Sequence, residues 1–226
     1  ADDMGLGKTV QILSAIASLR AAGGQKGPVL VVAPTSVVGV WAEQATKFTP
    51  GLRVRCVGET AARRGTTIVQ EAQASDIVVT SYTLARLEAD QWREVRLCGV
   101  VIDEAQAVKN PRTATYRALR SMDTPWCLAV SGTPIENSLG DLWSILSLTC
   151  PGLLPAWDTF TQKVRRPIES GDVDMLERLT SYVAPFILRR TKEQVATDLP
   201  DKIVDVVRVE LGKEHRRIYD QYLARE

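Results

Sequence analysis

Five short apolar runs, separated by stretches of helical character, set the strongest limit on how this chain folds. PVLVVAP (Pro28–Pro34) is apolar without alternation, as a strand covered on both faces requires. RVRCV (Arg53–Val57), DIVVTSY (Asp76–Tyr82), GVVIDEA (Gly99–Ala105) and WCLAVSGTP (Trp126–Pro134) read as four further strands. Before the first lies a helix over Thr9–Ala21, with Val10, Leu13, Ile16, Ala17 and Arg20 at three-and-four spacing and Gly23-Gly24 to end it. A second helix, capped by Ser36, carries Val40, Trp41 and Ala45. Others fall near Leu84–Ala89 and Thr113–Arg120. Buried strands alternating with helices predict an α/β fold: a central, mostly parallel sheet between two helical layers. Ligands of such folds bind at the carboxyl ends of the strands. Every chemically suggestive residue here lies at the end of a strand run.

The first such feature is ADDMGLGKTVQ (Ala1–Gln11). In GLGKT the glycines let backbone N–H groups approach a phosphate, Lys8 reaches the terminal phosphates, and the Thr9 hydroxyl suits magnesium. The helix that follows points its positive end at the same anion. The full pattern asks for glycine six residues before the lysine; Asp2 stands there instead. A glycine turn with a surface lysine is the bland alternative. The second feature, VVIDEAQ, places Asp103 and Glu104 at the end of an apolar strand. Adjacent carboxylates at such a place call for a counter-ion. Asp103 suits magnesium, and Glu104 suits the orientation of an attacking water. Acidic residues that merely stabilise a helix N-terminus are the alternative. Together the two motifs point to a P-loop nucleoside triphosphatase with Lys8, Asp103 and Glu104 as its catalytic residues.

Composition adds limits more than direction. A chain of 226 residues makes one large or two small domains, and a net charge of +1 gives no general pull toward nucleic acid. The four cysteines, Cys56, Cys98, Cys127 and Cys150, have no metal-ligand spacing, and His215 is the one histidine. Cys98 and Cys127 read as reduced core thiols, which favours a reducing interior. No apolar run reaches the ~18 residues of a membrane span, and no membrane partner is expected.

Six stretches carry a resemblance. ADDMGLGKTVQ, VVAPTSVVGVWAEQATKF, DIVVTSYTLARLE, VVIDEAQAVKN, AVSGTPIENSLGDLWSILSL and FILRRTKEQVATDLPDKI resemble, in order, the motifs of the Swi/Snf-type ATPases. This is the Snf-two family of double-stranded-DNA translocases in helicase superfamily two. The resemblance implies the first RecA-like lobe of a P-loop NTPase, a three-layer sandwich with a helical extension. It implies ATP and Mg2+ as cofactors and double-stranded DNA as partner. Nucleotide binding would fall to Asp3, Met4, Gly5, Leu6, Gly7, Lys8, Thr9, Val10 and Gln11. Thr9 and Asp103 would hold the metal. Gln106, Ser131, Gly132 and Thr133 would couple hydrolysis to movement; the family carries histidine where Gln106 stands, and a plain Ser-Gly-Thr turn is the alternative at 131–133.

DNA-backbone contact is expected from Pro34, Thr35, Ser36, Thr80, Ser81, Tyr82, Lys109, Asn110, Arg189 and Arg190. Helix capping by Ser36 and Ser81 and a solvated Lys109 are equally consistent with the sequence. Arg189 and Arg190 could instead brace lobes or form a solvated face. Trp41, Trp126, Trp143 and Trp157 read as packing residues. Residues 1–150 are expected to form the lobe, lacking the strand that should precede Ala1, so that Ala1–Gly7 is expected to be mobile or misplaced unless ligand or lattice contacts hold it. Residues 151–200 would be the helical extension. DKIVDVVRVE (Asp201–Glu210) reads as a strand and KEHRRIYDQYLARE (Lys213–Glu226) as a helix toward a second RecA-like lobe. The fragment alone should hydrolyse ATP poorly. A strand-separating helicase and a non-catalytic interaction module are the rival readings. The motor could act on a DNA-bound protein such as polymerase, in the cytoplasm at a bacterial nucleoid, or in a nucleus if the source is eukaryotic.

Overall fold

The computed structural model describes residues 1–132, 138–195 and 212–223, with Lys213 in backbone alone. Thr133 and the expected strand over 201–210 lie outside the described residues. The chain divides into two units, Ala1–Val195 and Ala196–Glu226.

In the first unit the five apolar runs form strands β1 (Val29–Ala33), β2 (Val54–Val57), β3 (Ile77–Ser81), β4 (Gly99–Asp103) and β5 (Cys127–Val130). They make one sheet in the order β2-β3-β1-β4-β5, and every pairing is parallel. The register sets Val31 beside both Val79 and Val101, and Asp103 beside Val130. β1, β3 and β4 are buried along their whole length. Alternate residues serve opposite layers. Val29, Val31 and Ala33 pack toward α1 (Lys8–Ala21) and α2 (Val38–Phe48). Leu30 and Val32 pack with residues of the helices beyond β2. A strand with an apolar layer on each side has no polar face to show, hence the unbroken apolar runs.

The helices beyond β2 are α3 (Ala61–Arg64), α4 (Ile68–Gln73), α5 (Tyr82–Leu87), α6 (Ala89–Arg93) and α7 (Ala114–Arg120). The segment after β5 supplies α8 (Leu139–Thr149), α9 (Trp157–Phe160), α10 (Arg166–Glu169), α11 (Val173–Val183) and α12 (Lys192–Val195). Leu142 and Leu146 of α8 share a third apolar cluster with Phe160, Leu179 and Val183. The second unit contains α13 (Lys213–Leu223), an amphipathic helix with an Arg216–Asp220 pair one turn apart. Among the described residues, no helix is long and apolar enough to cross a membrane.

Local chemistry moves several expected boundaries. Ser36 does not cap α2; Val37 holds the N-cap position after a turn in which its N–H reaches the Pro34 carbonyl. Ser81 does cap α5 through the Leu84 N–H, so that helix starts at Tyr82, ahead of its expected position. α4, absent from the sequence reading, opens with a reciprocal capping box between Thr67 and Gln70.

β4 has room for glycine alone at its first position. A Cβ on Gly99 would lie 2.1, 2.2 and 2.4 Å from three ring atoms of Trp126. We expect Gly99→Ala to destabilise the fold by about 1–3 kcal/mol, the usual penalty of overpacking. Urea denaturation checks this; an unchanged midpoint would contradict the rigid contact.

Candidate functional site

The carboxyl ends of β4 and β5 and the loop before α1 bring the site together. Gly5 and Gly7 have φ of 88° and 73°, left-handed values that suit glycine. They turn the chain so that Lys8 becomes the first residue of α1, with Thr9, Val10 and Gln11 completing its first turn. The Lys8 ammonium folds back into its own loop, donating to the carbonyls of Asp2 at 2.7 Å and Asp3 at 3.2 Å. Gln11 donates its side-chain N–H to the Leu6 carbonyl. Met4 is exposed.

Opposite the loop, Ser131 and Gly132 continue β5. A Cβ placed on Gly132 would stand 3.3 Å from Met4 Cγ and 4.0 Å from Lys8 Nζ. The Ser131 hydroxyl, buried, donates to Gln106 Oε1 at 3.0 Å. Gln106 in turn donates through Nε2 to Glu104 Oε2 at 2.9 Å. A line of hydrogen bonds therefore runs from Ser131 through Gln106 to Glu104, and Gly132, next to Ser131, stands near Lys8. Glutamine suits this place because one amide accepts at one end and donates at the other. Glu104 has φ 49° and ψ 58°, and it is the one non-glycine with positive φ among the described residues. Such backbone strain costs on the order of 1–3 kcal/mol and gathers at functional positions. It turns the Glu104 side chain off the strand direction toward Gln106.

Asp103 ends β4 at 7% exposure. Burial raises its carboxyl above the ordinary carboxylate range, and the neighbouring Glu104 adds to this. The Trp41 indole, the Glu104 N–H and the Lys8 charge work the other way. Trp41 Nε1 donates to Oδ2 at 2.9 Å and the Glu104 N–H to Oδ1 at 3.0 Å. The Tyr82 hydroxyl donates to the Asp103 carbonyl. Burial, then the Asp103 and Glu104 carboxylates, push the Tyr82 phenol far up, so it stays a donor.

The expected DNA contacts divide. Thr80 is fully buried and its hydroxyl donates to the Val57 carbonyl, which removes it from the surface. Ser81 is buried as a helix cap, and Tyr82 is turned inward under Asp103. Thr35 and Ser36 are exposed at the turn after β1, beside a half-buried Pro34. Asn110 is exposed, but its side chain accepts the Arg112 N–H within a turn. Lys109 is half-buried. Arg189 is exposed, whereas Arg190 is engaged elsewhere.

That engagement was not visible in the sequence. Arg190 grips the buried Asp2 carboxylate with its backbone N–H, Nε and Nη2, and donates to Gln11 Oε1 at 2.7 Å. The Asp3 N–H donates to the Arg190 carbonyl at 3.1 Å, and the Lys192 N–H to Asp3 Oδ2 at 3.2 Å. The expected mobile stretch Ala1–Gly7 is thus pinned by residues nearly 190 positions later, and Arg190 braces the phosphate loop where DNA contact was expected. The Arg190 hydrogen bonds hold the Asp2 carboxyl below the ordinary range. A depressed folded-state value means the stabilisation is complete above the unfolded value of about 3.9 and fades as pH falls through the folded value. We expect the brace to hold at neutral pH and to loosen only in acid. Asp2→Asn should loosen it at neutral pH, read as faster amide hydrogen exchange across residues 1–7. Exchange as slow as in the unaltered chain would contradict this.

Thr9 and Asp103 offer hydroxyl and carboxylate oxygen, the donors a hard divalent cation prefers. A cation beside the buried Asp103 carboxyl would offset the cost of burying its charged form, so the residues present fit magnesium.

A parallel sheet with a phosphate loop before its first helix, and paired carboxylates at a strand end, defines a RecA-like P-loop lobe. The SNF2-related domain family model matches residues 1–226. The chain belongs to this family. YwqA of Bacillus subtilis (strain 168), whose name carries the words ATP-dependent helicase/translocase, is 36% identical over 224 residues, covering 98% of this chain. An uncharacterized ATP-dependent helicase of Mycoplasma pneumoniae is 34% identical over 221 residues, again 98% of this chain. The chain spans 24% and 21% of the lengths of these relatives. Among solved structures, the Sulfolobus solfataricus SWI2/SNF2 ATPase core in complex with dsDNA matches with TM-score 0.79 and 36% identity. That match covers 100% of this chain and 47% of the other.

Proposed function

We propose that this chain is the ATP-binding lobe of an SNF2-type motor that hydrolyses ATP with magnesium and moves along double-stranded DNA. The observation that carries the reading is the hydrogen-bonded line from Ser131 through Gln106 to Glu104, beside a loop that places Lys8 near Gly132. Lys8 exchanges its two backbone carbonyl partners for the terminal phosphates, matching charge with charge. Backbone N–H groups of the loop and the start of α1 take the remaining phosphate oxygens. Magnesium, held through Thr9 and Asp103, would supply charge neutralisation of the phosphates. Glu104, fixed by Gln106, orients the attacking water and accepts its proton. Since Gln106 also holds Ser131, a shift of the Ser131 turn reaches Glu104 directly. This gives a physical route from movement to hydrolysis.

The exposed hydroxyls of Thr35 and Ser36 suit phosphate contact with the duplex, together with Arg189. Such contacts position the protein without reading sequence, so binding should weaken steeply with salt. The second RecA-like lobe and any DNA-bound protein that the motor displaces belong to the same proposal. Displacement of a triplex-forming strand from duplex DNA by the full-length protein and ATP tests it. ATP-dependent displacement without strand separation is expected; unwinding of a forked duplex with no triplex displacement would instead favour a strand-separating helicase.

A further inference from the structure

We propose that Trp41 is a positioning residue for Asp103: its indole N–H fixes the carboxylate in the orientation that receives magnesium. The proposal rests on the reading of Asp103 given above.

Trp41 lies on α2, is fully buried, and donates to Asp103 Oδ2 at 2.9 Å across 62 residues of sequence. Asp103 Oδ1 accepts from the Glu104 N–H at 3.0 Å. Among the described residues each carboxylate oxygen therefore has one protein donor. Two donors on two oxygens fix the rotation of the carboxyl plane and leave each oxygen a second lone pair. The strand supports the same point from below, where the Tyr82 hydroxyl meets the Asp103 carbonyl. Groups that hydrogen-bond a metal-binding carboxylate orient it, and their loss typically weakens metal affinity by about 10- to 100-fold.

Trp92 is a built-in control. It is as large and as buried as Trp41, at 1% exposure, but its Nε1 meets no acceptor among the described residues. Trp41→Phe and Trp92→Phe both shrink a buried ring, whereas only the first deletes a hydrogen bond.

The test uses the full-length protein and a fluorescent ADP analogue, titrated with and without Mg2+. In the unaltered protein Mg2+ should tighten binding. For Trp41→Phe we expect that Mg2+-dependent gain to fall by about tenfold, with affinity in EDTA unchanged; Trp92→Phe should keep the full gain. In steady-state hydrolysis, Trp41→Phe should raise the half-saturating Mg2+ concentration by a similar factor. If the smaller ring impairs folding, benzothienylalanine at position 41 keeps the shape and replaces N–H with sulfur, and should show the same loss. A full Mg2+-dependent gain in the benzothienylalanine protein, or equal losses in the two Trp→Phe variants, would overturn the proposal. Absence of any Mg2+-dependent nucleotide binding in the unaltered protein would overturn the functional reading itself.

Discussion

Replacing Lys8 with alanine in the full-length protein is expected to lower ATP hydrolysis by about 100- to 1,000-fold. Its ammonium sits within the loop, held by the carbonyls of Asp2 and Asp3, and its Nζ is 4.0 Å from where a Cβ on Gly132 would stand. No side chain carboxylate is its partner in these bonds, so the charge is held in place for an incoming anion. Loss of this charge removes stabilisation from the terminal phosphates both on binding and at the transition state. Nucleotide affinity should therefore fall together with turnover. The fold should persist, because Lys8 is only half-buried and the packing of α1 rests on Ile12, Leu13 and Ile16. Steady-state hydrolysis with a thermal unfolding control decides the matter. Retention of more than a tenth of the activity would show that another group neutralises the phosphates.

Glu104→Gln separates binding from chemistry. The substitution keeps size and shape, and its amide oxygen can still accept from Gln106 Nε2, which now reaches Glu104 at 2.9 Å. What disappears is the ability to take a proton from water. Loss of a general base typically lowers the rate by about 100- to 10,000-fold. Nucleotide affinity should change by no more than about twofold, since the role proposed for Glu104 is on water, with phosphate binding left to the loop. Paired measurements of nucleotide binding and hydrolysis check this. A variant that binds as weakly as Lys8→Ala would place Glu104 in the phosphate cradle. A variant that hydrolyses at the unaltered rate would remove it from the chemistry.

The sheet was legible because β1, β3 and β4 are buried on both faces, and burial on both faces leaves an apolar run in the sequence. The gathering of Lys8, Asp103, Glu104, Gln106 and Ser131 at one end of the sheet was legible for a related reason. Each lies within a short motif at or just after a strand end, or at a helix start, which fixes where its backbone stands. Local signals failed where a side chain's role depends on a distant partner. Thr80 lies near the end of its strand as a surface hydroxyl would, but strand order puts β2 beside it and the Val57 carbonyl accepts its hydrogen bond. Nothing near Trp41 shows that its indole reaches Asp103, 62 residues away at the end of β4. Asp2 read as a departure from the glycine pattern, but it is one end of an ion pair with Arg190, 188 residues away. One miss was local: the Thr67–Gln70 capping box at α4 has a readable T-x-x-Q signature.

Asp2, where the general phosphate-loop pattern has glycine, and Gln106, where the family carries histidine, thus have definite contacts in this chain. The first secures the phosphate loop to Arg190. The second links the serine after β5 to the carboxylate proposed to act on water. Neither removes Lys8, Thr9, Asp103 or Glu104, which is why hydrolysis is expected to survive them.

The most direct test is the rate of ATP hydrolysis by the full-length protein with and without duplex DNA, measured for the unaltered protein and Glu104→Gln together. Stimulation by duplex DNA in the unaltered protein, weakening as salt rises, and its loss in Glu104→Gln are predicted. Hydrolysis indifferent to duplex DNA, or a Glu104→Gln protein that keeps the stimulated rate, would contradict the account.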